Sequence, residues 1–135
     1  MLITRETDYA LRILRTLSLG RNYTAGELAT EEDLPQKFAY KIIKKLEKAG
    51  IVQIIRGANG GCRLAADLTK VSLYDLIDAV ETKACLTSCM NPDYVCEWRE
   101  AKGMCRIHSQ LCRVQNAIDE ELKSHSLYWV LFGRE

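Results

Sequence analysis

The sequence predicts a mainly α-helical protein with one small β-hairpin: a winged helix-turn-helix followed by a long C-terminal dimerisation helix. Three observations carry that expectation. A capping box, an acidic turn and a basic helix follow one another between Thr24 and Gly50. A β-rich run then doubles back through a glycine-rich turn. After an irregular stretch that holds cysteines, helical periodicity resumes from about Cys105 to Ser124.

The elements can be justified in order. From Thr4 to Leu19, apolar residues at Ala10, Ile13, Leu14 and Leu17 recur at the spacing of one helix face, and Gly20 ends the run. Thr24-Ala25-Gly26-Glu27 is a capping box in which Glu27 can reach back to the backbone of the cap. That helix carries Leu28 and Ala29 and stops at Glu31-Glu32-Asp33. Pro35 opens a third helix, where its missing N–H has no intrahelical partner to lose. Phe38, Ile42, Leu46 and Ala49 form its expected apolar stripe, and Gly50 suits the residue just past its end.

The period then becomes extended. Ile51 to Arg56, the turn Gly57-Ala58-Asn59-Gly60-Gly61 and the return Cys62 to Ala65 read as a hairpin with a glycine-rich tip. Ser72-Leu73-Tyr74-Asp75 caps a fourth helix running to about Glu81, with Val71 and Leu76 at staple spacing. Between Thr82 and Met104 periodicity is weak, with a short helix possible from about Asp93 to Ala101. The last long helix carries Ile107, Leu111, Val114, Ile118 and Leu122 on one side, a stripe too long for one small domain to cover, so a second copy is expected there. Three regions result: a DNA-reading winged helix-turn-helix over 1–81, a cysteine-rich loop over 82–104, and the dimerisation helix with its tail over 105–135. The apolar tail Tyr128 to Phe132 is expected to pack back onto the body, and His125 to lie at the surface.

Composition narrows the classes. With 47% apolar and 27% charged residues among 135, the chain reads as globular. No apolar run approaches the ~20 residues of a membrane span, and the early charges of the N-terminus do not suit a signal peptide. The cytoplasm is the expected compartment. Five of the six cysteines fall between Cys85 and Cys112, and clustered cytosolic thiols more often bind metal or react than form disulfides.

The net charge of +1 hides an asymmetry. From Pro35 to Leu64 seven lysines and arginines face one acid, Glu47, so this window carries +6 and the remainder −5. A basic block on an otherwise acidic chain is the footprint of a polyanion. Gln36, Lys37, Tyr40, Lys41 and Lys44 on the third helix are expected to meet the major groove of double-stranded DNA, with Arg56, Asn59 and Arg63 at the wing. A lysine-rich face that is merely solvated is the bland alternative; the ordered series of cap, turn, basic helix and hairpin speaks against it.

Leu2-Ile3-Thr4, Tyr9-Ala10-Leu11-Arg12, Leu46-Glu47-Lys48-Ala49-Gly50-Ile51-Val52 and Arg56-Gly57-Ala58-Asn59-Gly60-Gly61 resemble the IscR/NsrR/CymR family of winged-helix regulators. The resemblance spans nearly the whole chain. It implies a symmetric homodimer on a palindromic operator, with no small-molecule substrate. Cys62 stands where the family usually has an aromatic residue, and is read as a small buried hydrophobe.

Cys89-x6-Cys96-x8-Cys105-x2-His108 is similar to the loop of the iron–sulfur members of that family. The resemblance implies Cys89, Cys96 and Cys105 as ligands, with His108 favoured as the fourth and Asp8, supplied across the dimer from the other copy of the chain, Cys85 and Cys112 as alternatives. Histidine goes with a 2Fe–2S cluster; the aspartate or all-cysteine sets go with 4Fe–4S. The gaps are longer than in the biogenesis regulators, and Cys85 and Cys112 are additions. Other readings stay open. Zinc could take the same thiolates, Cys85 or Cys112 could be buried small residues, and a cluster-free regulator controlled by thiol chemistry or a protein partner would have the same fold. Cys105 with His108 as nucleophile and base lacks oxyanion donors and an orienting carboxylate, so no enzyme is expected.

Overall fold

A computed structural model describes residues 3–82 and 84–134; Leu2 of the first family motif lies outside them. Seven α-helices and one hairpin are described: α1 (Arg5–Leu17), α2 (Ala25–Glu31), α3 (Gln36–Lys48), β1 (Val52–Ile55), β2 (Gly61–Leu64), α4 (Leu73–Val80), α5 (Glu97–Lys102), α6 (Arg106–Lys123) and α7 (Leu127–Phe132). A single 3₁₀ turn, Ser88–Met90, lies in the cysteine loop. The architecture is mainly helical with one antiparallel hairpin, as expected.

Local chemistry sets the boundaries. Thr24 and Ser72 each complete a capping box, with Glu27 and Asp75 as the reciprocating acids. At the end of α3, Gly50 takes φ 75°; its N–H bonds Glu47 O while Ile51 N–H bonds Leu46 O. This is a Schellman ending, and the left-handed residue it needs is cheapest as glycine. In the turn between α2 and α3, Asp33 at φ 49° is the one described non-glycine with positive φ.

Ala10, Ile13 and Leu14 from α1, Leu28 from α2, Ala39, Ile42 and Leu46 from α3, and Leu76 and Val80 from α4 form one buried cluster. Burying each such large side chain stabilises the fold by roughly 1.5–3 kcal/mol. The stripe of α3 differs from the expected one. Ala39 and Ile43 are buried, whereas Phe38 is 43% exposed and Ala49 is exposed. Helical geometry places Phe38 at the edge of the stripe, where it rests against Tyr9 with ring centroids 6.0 Å apart.

The hairpin pairs Val52 with Leu64 and Ile55 with Gly61. Tyr23 bridges Cys62 on its other edge through two backbone hydrogen bonds of 2.7 and 3.0 Å. That bridge accounts for Gly61, and the tight turn of the hairpin itself accounts for Gly60. A Cβ on Gly61 would stand 2.6 Å from Tyr23 O, and one on Gly60 would stand 2.4 Å from Ile55 O. Cys62 is buried, as a small hydrophobe would be.

No residue of α5 or α6 is buried. At 18 residues, α6 is about 27 Å long. Gln115 Oε1 accepts the Leu86 N–H at 2.8 Å, and Lys123 lies 4.4 Å from the Tyr74 ring, so one side of α6 rests on the loop and α4. The other side leaves Ile107 and Val114 exposed. The chain then returns through α7. Leu127 and Tyr128 donate to Val71 O and Leu68 O, and Leu127 joins the core. His125 is not a lone surface residue: its ring stacks on Trp129 at 3.6 Å.

Candidate nucleic-acid interface and cysteine site

The Pro35 entry and the Schellman ending bound α3, and burial of Ala39, Ile42, Ile43 and Leu46 turns its apolar side inward. Its outward side then presents Gln36, Lys37, Tyr40, Lys41 and Lys44, all exposed. The wing adds Arg56, Asn59 and Arg63, also exposed. Asn22 donates to Asn59 O at 3.4 Å, tying the hairpin tip to the loop before α2, while Arg63 donates across the strand pair to Gln53 at 3.2 Å. All eight candidate DNA residues therefore lie on α3 or the hairpin with exposed side chains.

Their charges are not equally available. Lys44 pairs with Glu47 at 3.4 Å within the helix. Lys41 Nζ donates to Glu6 Oε1 at 2.5 Å, and Lys45 is bonded to the other oxygen of the same carboxylate and to Val80 O. The basic block is thus opposed by Glu6 as well as by Glu47. Burial alone would raise the pKa of Glu6, but hydrogen bonds and charge from Lys41 and Lys45 outweigh it and hold the carboxyl below its ordinary value of 4.5. Glu6 carries no motif. Its pairing with Lys41 spans 35 residues, so no local pattern announces it.

The cysteine site is built around one imidazole. Cys105 caps α6, its sulfur accepting the His108 N–H at 3.4 Å. His108 Nδ1 lies 3.4 Å from Cys89 Sγ and Nε2 lies 3.3 Å from Cys112 Sγ, one helical turn further on. Arg99 Nη1 approaches Nε2 at 3.4 Å. A guanidinium can only donate, so the Arg99 contact is a hydrogen bond only where Nε2 accepts. Thr87 Oγ1 lies 3.0 Å from the same sulfur. Cys85 lines the hollow beside His108 and Cys112, together with Tyr74, Asp78 and Asp119.

Of the implied ligands, the structure gathers Cys89, Cys105 and His108 and sets Cys112 beside them. Cys96 opens onto a different hollow with Tyr94, Val95 and Met104. Asp8, on α1, is paired with Arg12 at 3.0 Å. The thiols and imidazole fit an iron–sulfur group in kind. As placed they do not form a single-ion site: among the described residues, no three His, Cys, Asp or Glu side chains are positioned to hold one metal ion.

Comparison with known proteins gives this geometry a context. A family described as "Rrf2: Iron-dependent Transcriptional regulator" matches residues 3–132. Protein aau3 of Rhizobium meliloti (strain 1021) is 26% identical over 130 residues, covering 94% of this chain and 82% of that protein. Among solved structures, a Listeria innocua protein is 26% identical with a TM-score of 0.75, covering 98% of this chain and 88% of that one. CymR, the global cysteine regulator of B. subtilis, is 22% identical with a TM-score of 0.73 over 100% of this chain and 99% of its own. T. potens IscR is 22% identical with a TM-score of 0.70 over 100% of this chain and 89% of its own. At these last identities the likeness is one of fold.

Proposed function

The chain belongs to the Rrf2 family of transcriptional regulators, not to a family of enzymes, and from that premise we propose that it works in the cytoplasm as a homodimer on double-stranded DNA, with the cysteine–histidine site as its sensing element. Lys37, Gln36 and Tyr40 at the start of α3 enter the major groove, Lys41 and Lys44 face the backbone, and Arg56, Asn59 and Arg63 reach the flanking groove. The uncovered side of α6 is the dimer seam. Two α3 helices must then stand about 34–36 Å apart to read successive turns of a palindromic operator.

The observation that carries the sensing role is the convergence of Cys89, Cys105 and Cys112 on His108. As placed, it supports control by chemistry at the thiols themselves. Cys89 and Cys112 touch the two ring nitrogens of one imidazole, so modifying either sulfur disturbs the loop and α6 together. Because α6 also forms the seam, the change reaches the spacing of the two α3 helices. A switch of roughly 1–3 kcal/mol corresponds to a 5–150-fold change in affinity.

A second reading is favoured by the iron-dependent description of the family. It takes Cys89, Cys96, Cys105 and His108 as ligands of an iron–sulfur cluster and needs Cys96 brought across to the others. Zinc on the same thiolates is the third possibility. The deciding experiment is anaerobic purification with a visible spectrum and iron, sulfide and zinc analysis, followed by DNA binding before and after thiol alkylation. Metal-free protein whose DNA affinity falls on alkylation supports the thiol reading. Stoichiometric iron and sulfide, lost in Cys96→Ala, replaces it with the cluster reading, and zinc makes the loop a structural site.

A further inference from the structure

The first turn of α1 touches the basic helix at a point the charge pattern leaves unexplained. Thr4 caps α1 through the Glu6 N–H at 3.1 Å. Glu81, just past α4, accepts from Thr4 N–H and Thr4 Oγ1 at 2.9 Å each and from Thr7 Oγ1 at 2.5 Å. This clamp fixes the start of α1 between α3 and the end of α4. It also fixes the Glu6 carboxylate, which meets two lysines one helical turn apart on α3.

The two lysines differ in what they can do next. Lys45 is half-buried and is held by Glu6 and by Val80 O at 2.6 Å, so it serves as a strut between three helices. Lys41 has a side chain that is 53% exposed, on the same outward side as Lys37 and Lys44, and its ammonium is occupied by the other Glu6 oxygen. Lys45 therefore anchors the carboxylate, and the anchored carboxylate occupies Lys41.

We propose that Glu6 is an affinity-setting residue for DNA: it holds the Lys41 ammonium in the free protein and competes for it with a backbone phosphate. The inference rests on the reading of α3 as the DNA-facing helix. A phosphate that reaches Lys41 must displace a preorganised carboxylate, so part of the electrostatic gain at this position is spent inside the protein. Lys37, on the same surface, carries no such counter-charge among its described contacts. The arrangement moderates sequence-independent binding, to which every phosphate contact contributes.

The test is a titration of a fluorescent 30-base-pair mixed-sequence duplex with the wild-type dimer, Glu6→Gln, Lys41→Ala and the double variant, at several salt concentrations. Glu6→Gln keeps an acceptor for Lys45 and removes the charge. It is expected to tighten binding by roughly three- to fivefold, the size of a partly exposed ion pair, and the gain should shrink as salt rises. In the Lys41→Ala background the gain should vanish. Unchanged or weaker binding by a folded Glu6→Gln protein overturns the proposal. So does a gain that persists without Lys41, since that would be a general effect of removing one negative charge. If Glu6→Gln does not fold, Lys41→Ala against Lys37→Ala makes the test: with its ammonium engaged by Glu6, Lys41 should contribute less to duplex affinity than Lys37, and an equal or larger loss at Lys41 overturns the proposal. A wild-type protein that binds no duplex at any salt removes the DNA-reading role of α3 and this inference with it, a result distinct from the other two.

Discussion

The body formed by α1–α4 and the hairpin differs from the arm formed by the cysteine loop, α5 and α6. The body, closed by Leu127 of α7, contains the fully buried side chains; the arm contains no residue of α5, α6 or the 3₁₀ turn that is buried. Order in the arm comes instead from polar contacts: Gln115 to the Leu86 N–H, Asn91 to the Asp93 N–H, and the thiols around His108. Packed apolar contacts are cooperative and tolerate little change. Scattered polar contacts in reach of water are each worth about a kilocalorie per mole or less. Within one subunit, stability is therefore concentrated in the body, and the arm is the part whose local order costs least to change.

The largest expected effect lies in the body. Leu14→Ala, at a fully buried position, should destabilise the protein by about 2–5 kcal/mol, read as a fall in the urea midpoint. Met104→Ala, at an arm residue that is 84% exposed and lies outside α6, should move stability by less than ~0.5 kcal/mol. Equal losses at both sites would erase the contrast between body and arm.

The next effect is on assembly. Val114 is half exposed beside Ala117 and Ile118 on the uncovered side of α6. Val114→Glu should convert the dimer to a monomer in sedimentation equilibrium while leaving helical content unchanged. A wild-type-like dimer would move the seam away from α6.

The cysteines sharpen the same comparison. Burial pushes the Cys62 thiol up from 9.0 to about 11, so its thiolate fraction near neutral pH is lowered roughly a hundredfold. Cys85, Cys89, Cys96, Cys105 and Cys112 are half-buried. In native metal-free protein a thiol reagent should label these five and spare Cys62 until the chain unfolds. Rapid labelling of Cys62 would mean that the hairpin opens away from Tyr23 in the native state.

The contrast also explains which features were legible in the sequence. The capping boxes at Thr24 and Ser72, the Gly50 ending and the glycine pair of the wing depend on neighbours within a few residues, and each could be read before the fold. Periodicity located α3 but set its stripe at Phe38 rather than Ala39 and Ile43, because neighbouring residues on a helix differ by only a fraction of its face. Cys105 caps the helix that carries His108 and Cys112, so their meeting could be read from spacing. That Cys96 lines a different hollow could not, because the loop between Thr82 and Met104 lacks a period. Glu6 is the extreme case: its role depends on α1 crossing α3 at a particular height, which no local pattern encodes.

The smallest effect tests that crossing directly. Glu6 has its carboxyl held below 4.5 in the folded chain, so folding favours the charged form. The stabilisation it provides is complete above the unfolded value and is lost as pH falls through the folded value. Glu6→Gln should therefore be less stable than wild type at neutral pH, by no more than about 1 kcal/mol because Lys41 is exposed and screened. The two proteins should converge as pH falls below 4.5. Urea unfolding at pH 7, 5, 4 and 3.5 measures the gap. A gap that stays constant across this range would mean that the glutamate acts through packing alone; a gap that closes, and is smaller in the Lys41→Ala background, shows that Glu6 engages Lys41 in the free protein, as its competition with DNA requires.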